Sequence, residues 1–186
     1  VRILHTSGAG EGWIDEKISD LETLVNPTVG LAAHSGIVDI RITAKAGNDT
    51  EADELINILE NEIRSRLGDF IFGSDATTLE KTAMDSVERI GWSVYCVEIG
   101  TLGLLNQRIS TLQCPIYQGA SQYPTDTISL KRTVETIVAD GNSDVVLGLS
   151  VIIKDNNSMI HIVIHTPESD YDNEINYSGP PLHAPT

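Results

Sequence analysis

Residues 26–46 read NPTVGLAAHSGIVDIRITAKA, and this stretch decides the architecture of the first half of the chain. Within it Ile40, Ile42 and Ala44 alternate with Asp39, Arg41, Thr43 and Lys45. A period of two puts the apolar set on one face of a strand and the polar set on the other, so Ile37–Ala46 reads as a half-buried strand. Upstream, Ile14, Ile18, Leu21 and Val25 recur at helical spacing, and Asn26-Pro27 ends that helix because the residue before a proline avoids helical backbone. Downstream, Asn48-Asp49-Thr50 leads into a helix with Leu55, Ile56, Leu59, Ile63 and Leu67 inward, stopped by Gly68. Short strands over Arg2–Thr6 and Asp69–Gly73 complete a β-α-β-α-β unit, a small α+β layer.

A break falls near Gly73–Ala76. Beyond it, Thr77 and Glu80 have capping-box spacing, and Leu79, Ala83, Val87 and Ile90 continue a helix to Gly91. Trp92–Glu98 reads as a strand, Thr101–Ser110 and Thr127–Ala139 as helices, and Asp144–Ile153 as a strand apolar on both faces. Asp155-Asn156-Asn157-Ser158 turns into a last strand, Met159–His165. Alternating helices and strands of this kind indicate an α/β layer. From Thr166 onward Pro, Asp, Asn and Ser dominate, which reads as a polar tail. The fold class is therefore α/β: an α+β unit over 1–75, a truncated α/β sandwich unit over 76–165 and a tail over 166–186.

The composition narrows the partners. Of 186 residues, 12 are basic and 27 acidic, for a net charge of −15, and 40% are hydrophobic, which is enough for a packed core. Residues 1–76 hold 6 basic and 14 acidic side chains, net −8, and residues 77–186 hold 6 and 13, net −7. Both halves would repel a phosphate backbone, so a nucleic-acid partner is disfavoured. No stretch approaches the ~18 uninterrupted apolar residues of a membrane span. Two cysteines, Cys96 and Cys114, make no disulfide framework and suit a reducing cytoplasm. The chain opens on Val1 without a methionine, which reads as a piece of something longer.

Several residue patterns resemble a known family. Asn26–His34 followed by Val38–Ala46, with the turn Ser7-Gly8-Ala9-Gly10-Glu11, closely resembles the middle segment of the CinA family, the competence/damage-inducible proteins. The resemblance implies a KH-like domain over most of residues 1–75. In that family the KH-like domain precedes a nicotinamide-nucleotide amidase domain, and residues 77–165 resemble a degraded copy of it. Where the family reads Glu-Ser-Cys-Thr-Gly-Gly-Leu, this chain reads Glu98-Ile99-Gly100-Thr101-Leu102-Gly103-Leu104. Glu98, Thr101 and Gly103 match, while the position of the proposed nucleophilic serine holds Ile99. The family's lysine segment falls where Tyr117–Tyr123 runs almost directly into Thr127, and Lys131 belongs to the later helix. The Thr-Gly-Ile-Ala-Gly-Pro loop survives only as Gly148-Leu149.

Amide hydrolysis needs a nucleophile and a base to take its proton, and Ile99 offers no heteroatom. Thr101 could substitute or could cap a helix; Cys96 could substitute or could be a small buried side chain. Glu98, at the carboxyl end of a strand, stands where α/β folds place ligands, or else bonds a cap. With Thr101 and Gly103 it forms the candidate ligand site, suited to a nucleotide, and no catalytic residue is assigned. His161 and His165 share a strand face, but four residues separate their Cα atoms by roughly 13 Å, beyond one coordination sphere. No metal or cofactor is expected. His5 and His34 stand alone and read as structural or exposed. The Gly8-x-Gly10-x-Gly12 run reads as a turn, and a KH Gly-x-x-Gly clamp is missing. The resulting expectation is a catalytically dead family member, associating as a homodimer through the 76–165 unit or binding a nucleotide. The alternative is an active nicotinamide mononucleotide amidase using displaced residues.

Overall fold

In the computed structural model, which describes residues 1–34, 36–124, 128–154 and 157–178, the expected central strand is β3 (Ile37–Thr43). It pairs antiparallel with β1 (Arg2–Ser7) on one side and β2 (Thr28–His34) on the other. β4 (Ile71–Ser74) adds antiparallel to β1, giving the order β2-β3-β1-β4. β2 was not expected from the sequence: its small residues, Gly30, Ala32 and Ala33, carry too little hydrophobic contrast to show the alternation. The first unit is therefore β-α-β-β-α-β.

Helices α1 (Glu11–Glu22) and α2 (Asp49–Leu67) cover the sheet face that carries Leu4, Val38, Ile40 and Ile42. α1 buries Ile14, Ile18 and Leu21, but Val25 is 89% exposed, because the helix ends at Glu22 before the constraint of Pro27 acts. Asn48 caps α2 by accepting from the Glu51 amide at 2.9 Å while its own amide nitrogen donates to Glu51. Helix α3 (Leu79–Ile90) begins one residue later than the sequence suggested. Its cap is Thr78, which accepts from the Lys81 amide at 3.2 Å, rather than Thr77. The chain divides into two compact units between Thr82 and Ala83, inside that helix.

The second unit is a five-stranded sheet in the order β6-β5-β7-β8-β9. β5 (Val94–Ile99) lies between parallel neighbours β6 (Tyr117–Tyr123) and β7 (Val145–Lys154). β8 (Asn157–His165) and β9 (Asp170–Ser178) then add antiparallel. β9 corrects the expected tail: Tyr171 and Ile175 alternate with Asp170, Asp172 and Glu174, and pairing with β8 recruits a segment whose composition alone reads as irregular. Thr127, Asp155 and Asn156 of the expected helix and turn lie outside the described residues.

Two short helices complete the unit, α4 (Leu104–Ser110) and α5 (Leu130–Asp140). α5 packs Leu130 and Val134 on Val97, Ile99, Val146 and Val163. Its close approach depends on Gly148, where a Cβ would lie 2.7 Å from a Val134 methyl and 3.0 Å from a Leu130 methyl. The opposite face packs Val94, Cys96 and Val145 with Met84 of α3 and Ile109 of α4. The protein is thus of the α/β class. No helix among the described residues is long and apolar enough to cross a membrane.

Candidate functional site

The chain leaves the carboxyl end of β5 through Gly100–Gly103 and enters α4. Gly100 takes φ +72°, and a Cβ there would lie 2.3 Å from the Val151 carbonyl oxygen, so only glycine fits this step. α4 has Gly103 as its N-cap, which supplies no side-chain acceptor. Glu98 supplies it from the strand instead. Its carboxylate accepts from the backbone N–H groups of Leu105 at 2.9 Å and Asn106 at 2.8 Å, and from the Thr101 hydroxyl at 2.6 Å. The first two are donors a helix start leaves without partners, so an acidic side chain there also suits the helix dipole. Glu98 is 1% exposed.

One expectation changes accordingly. The Thr101 hydroxyl bonds Glu98 rather than capping the helix itself. Glu98, expected to face a ligand or to bond a cap, makes the cap bonds. Gly103, at φ +78°, lies against the Gln122 side chain. A pocket of about 320 Å³ opens beside them, lined by Glu98, Leu102, Gly103, Gln122, Tyr123 and Pro124. Leu102, at φ +56°, projects its side chain into solvent at 98% exposure.

The nucleophile candidates fare as follows. Ile99 is 1% exposed and packed under α5. Cys96 is fully buried, and burial pushes its thiol up to about 12, against the lowering effect of the Tyr117 hydroxyl and with a further rise from the Glu98 charge. Tyr117 is itself raised by burial and donates to the Asn106 side-chain carbonyl at 2.8 Å. Lys131 of α5 ion-pairs with Asp172 at 2.9 Å, which also takes His161 at 2.7 Å. Those two partners hold the Asp172 carboxyl below the usual range. His161 stands directly opposite Ser150 of β7, yet both ring nitrogens face carboxylates of β9, Asp172 at 2.7 Å and Glu174 at 3.9 Å. Among the described residues no group of three His, Cys, Asp or Glu side chains is placed to hold a metal ion.

One pairing was missed from the sequence. His5 and His34, read as isolated, both bond Asp39, at 2.7 and 2.9 Å. They lie 29 residues apart in the chain and meet because β1, β3 and β2 are neighbours. Only the strand order could have revealed this.

Residues 1–73 match the family model described as the damage-inducible protein CinA KH domain. That stretch is similar to the KH segment of the CinA family. A CinA-like protein from Dictyoglomus thermophilum is 37% identical over 109 residues, covering 58% of this chain and 26% of that protein. A CinA-like protein from Prochlorococcus marinus strain MIT 9215 is 35% identical over 121 residues, covering 64% and 28%. A Moorella thermoacetica protein named as competence-damage inducible is 36% identical over 122 residues, covering 66% and 28%. The matched stretch thus spans about a quarter of each CinA relative's length. These matches are longer than the KH segment and so extend into the second unit.

Proposed function

We propose that this chain is a non-catalytic CinA-family protein that works by association, its second unit pairing with a second copy of the chain. Ile99 carries the reading of lost chemistry. At the position where the resemblance expects a serine, an apolar side chain is packed into the core beneath α5. The neighbouring heteroatoms are otherwise employed: the Thr101 hydroxyl donates to Glu98, and the Cys96 thiol is buried and held protonated. Glu98, Thr101 and Gly103 then serve to build the strand-to-helix turn rather than to grip a nucleotide.

Association is supported by the sheet beyond the reach of α3 and α4. The register puts Leu149, Val151 and Ile153 of β7, Ile160 and Ile162 of β8, and Ile175 of β9 on the face opposite α5. Ile153 is 55% and Ile175 44% exposed. Within the segment expected to be a tail, Asp170–Ser178 widen the sheet as β9 and add Ile175 to it. A contiguous apolar face of this kind marks an interaction surface, and self-pairing about a two-fold axis is the commonest way to cover one. Cys96 and Cys114 are both free thiols, which suits a reducing cytoplasm.

Incubation of the full chain with nicotinamide mononucleotide should release no ammonia. Turnover abolished by Thr101→Ala or Cys96→Ala would overturn this reading and establish an amidase with displaced residues. Light scattering after gel filtration should give twice the chain mass. A monomer mass persisting at high micromolar concentration would refute the association.

A further inference from the structure

We propose that His5 is a proton-operated latch, holding the exit turn of the KH unit against β1 when its ring carries a proton on both nitrogens. The geometry begins at Asp75, the residue after β4. Its φ of +54° is a left-handed conformation that a non-glycine residue adopts only when its surroundings hold it there. The Asp75 amide donates to the Ile3 carbonyl at 2.8 Å, as a continuing strand would. The left-handed step turns the Asp75 carbonyl out of the ladder, and its side chain takes over, Oδ1 accepting from the Ile3 amide at 3.0 Å. Its other carboxylate oxygen pairs with Arg2 at 3.0 Å, and Arg2 also reaches Glu60 of α2.

The displaced carbonyl is caught by His5, whose Nε2 lies 2.8 Å from it. The other ring nitrogen, Nδ1, lies 2.7 Å from the Asp39 carboxylate. A carbonyl and a carboxylate only accept, so both nitrogens must donate. A neutral imidazole carries one N–H and can make only one of these bonds; the imidazolium makes both. The Phe72 ring stacks on the imidazole at 5.7 Å. The charged groups facing His5 are Asp39 of β3, the Asp75 carboxylate after β4, and His34 of β2 through the shared Asp39. Arg2 of β1 approaches through Asp75, and Arg41 shares the outer face of β3 with Asp39.

Burial opposes the charge on His5, but the bonds to Asp39 and to the Asp75 carbonyl, together with both carboxylate charges, raise its affinity for the proton above the ordinary value of 6.5. For Asp39, burial acts upward, but His34 and His5 hold its carboxyl below its ordinary 3.8. A raised histidine stabilises below its unfolded value and loses that effect as pH rises through the folded value; a lowered carboxylate does the reverse. The latch is therefore fully closed from about pH 4 to the ordinary histidine value and opens as pH rises through the raised His5 value above it.

NMR of the full chain between pH 5 and 8.5 tests this, following the His5 ring nitrogens and exchange of the Asp75 amide. His5 should carry both protons up to a midpoint above 6.5. Protection of the Asp75 amide, corrected for intrinsic exchange, should fall about three- to tenfold through that midpoint, the net loss of one hydrogen bond. Asp39→Asn should lower the midpoint to the ordinary value or below, while His34→Gln should leave the coupling of His5 titration to Asp75 protection intact. A neutral His5 ring at pH 6, Asp75 protection indifferent to His5 titration, or coupling lost with His34→Gln would each overturn the latch.

Discussion

Replacing Glu98 tests whether the candidate site is a binding site or the frame of a turn. In Glu98→Ala the Leu105 and Asn106 amides lose their acceptor and the half-buried Thr101 hydroxyl its partner, where Glu98 itself is 1% exposed. A hydrogen bond to a charged acceptor contributes about 1.5–3 kcal/mol. Taking the low end for the two fixed amides, and allowing the hydroxyl to rotate to another acceptor, the loss is about 3–4 kcal/mol. In Glu98→Gln the amide oxygen can serve Leu105 and Thr101, but its NH2 then faces the Asn106 N–H, costing about 2 kcal/mol. For a unit of about 100 residues, 1 kcal/mol moves Tm by about 4–8 °C, so alanine should lower Tm by at least about 12 °C and glutamine by about half as much. Trp92, packed in the second unit, reports its melting, and a Trp13→Phe background removes the signal of the first unit. If Glu98→Ala stays within about 0.5 kcal/mol of the parent, the carboxylate is not holding α4 and is free to meet a ligand.

Gly100→Ala should be at least as damaging as Glu98→Gln: it combines a left-handed backbone, about 1–2 kcal/mol, with a 2.3 Å clash against Val151, and urea unfolding should show a loss of about 3 kcal/mol or more. A thiol reagent at pH 7.5 should label the half-buried Cys114 in the folded chain and reach Cys96 only on unfolding, since a thiol held at about 12 is about a thousandfold poorer in thiolate than a free one; equal labelling rates would contradict the packing of β5. Ile153→Glu, placed in the open sheet face and 55% exposed, should convert a dimer to monomer with little change in unimolecular stability, as read by sedimentation. A dimer surviving the substitution would move the contact to another surface.

The end of β5 keeps its turn and its helix cap with an apolar residue at position 99. Thr101 and Gly103, which match the family's pattern, make the turn together with Gly100, which does not, and Glu98 ties it to α4. Each of these interactions is a backbone or capping requirement, which persists as long as the strand must pass into the helix. The nucleophile position carries no such requirement, so Ile99 can be absorbed into the core.

The sequence by itself determined the elements whose side chains follow a pattern: β3 from its alternation, α2 from its apolar stripe and Asn48 start, β7 from Val, Ile and Leu on both faces. It also showed that position 99 carries no heteroatom, which needs no coordinates. Local order was legible since those signals depend on neighbours a few residues away. What the tertiary structure alone decided depends on residues far apart in the chain. β2 and β9 carry weak patterns and become strands because a neighbouring edge offers hydrogen bonds. Glu98 became a helix cap because the turn at Gly100 brings α4 back over its carboxylate. His5 and His34 share Asp39 only through the order β2-β3-β1, and His5 reaches Asp75 only because β4 returns beside β1. Periodicity records which face of an element is buried, but the identity of the neighbour across that face is set by strand order, which no local pattern encodes.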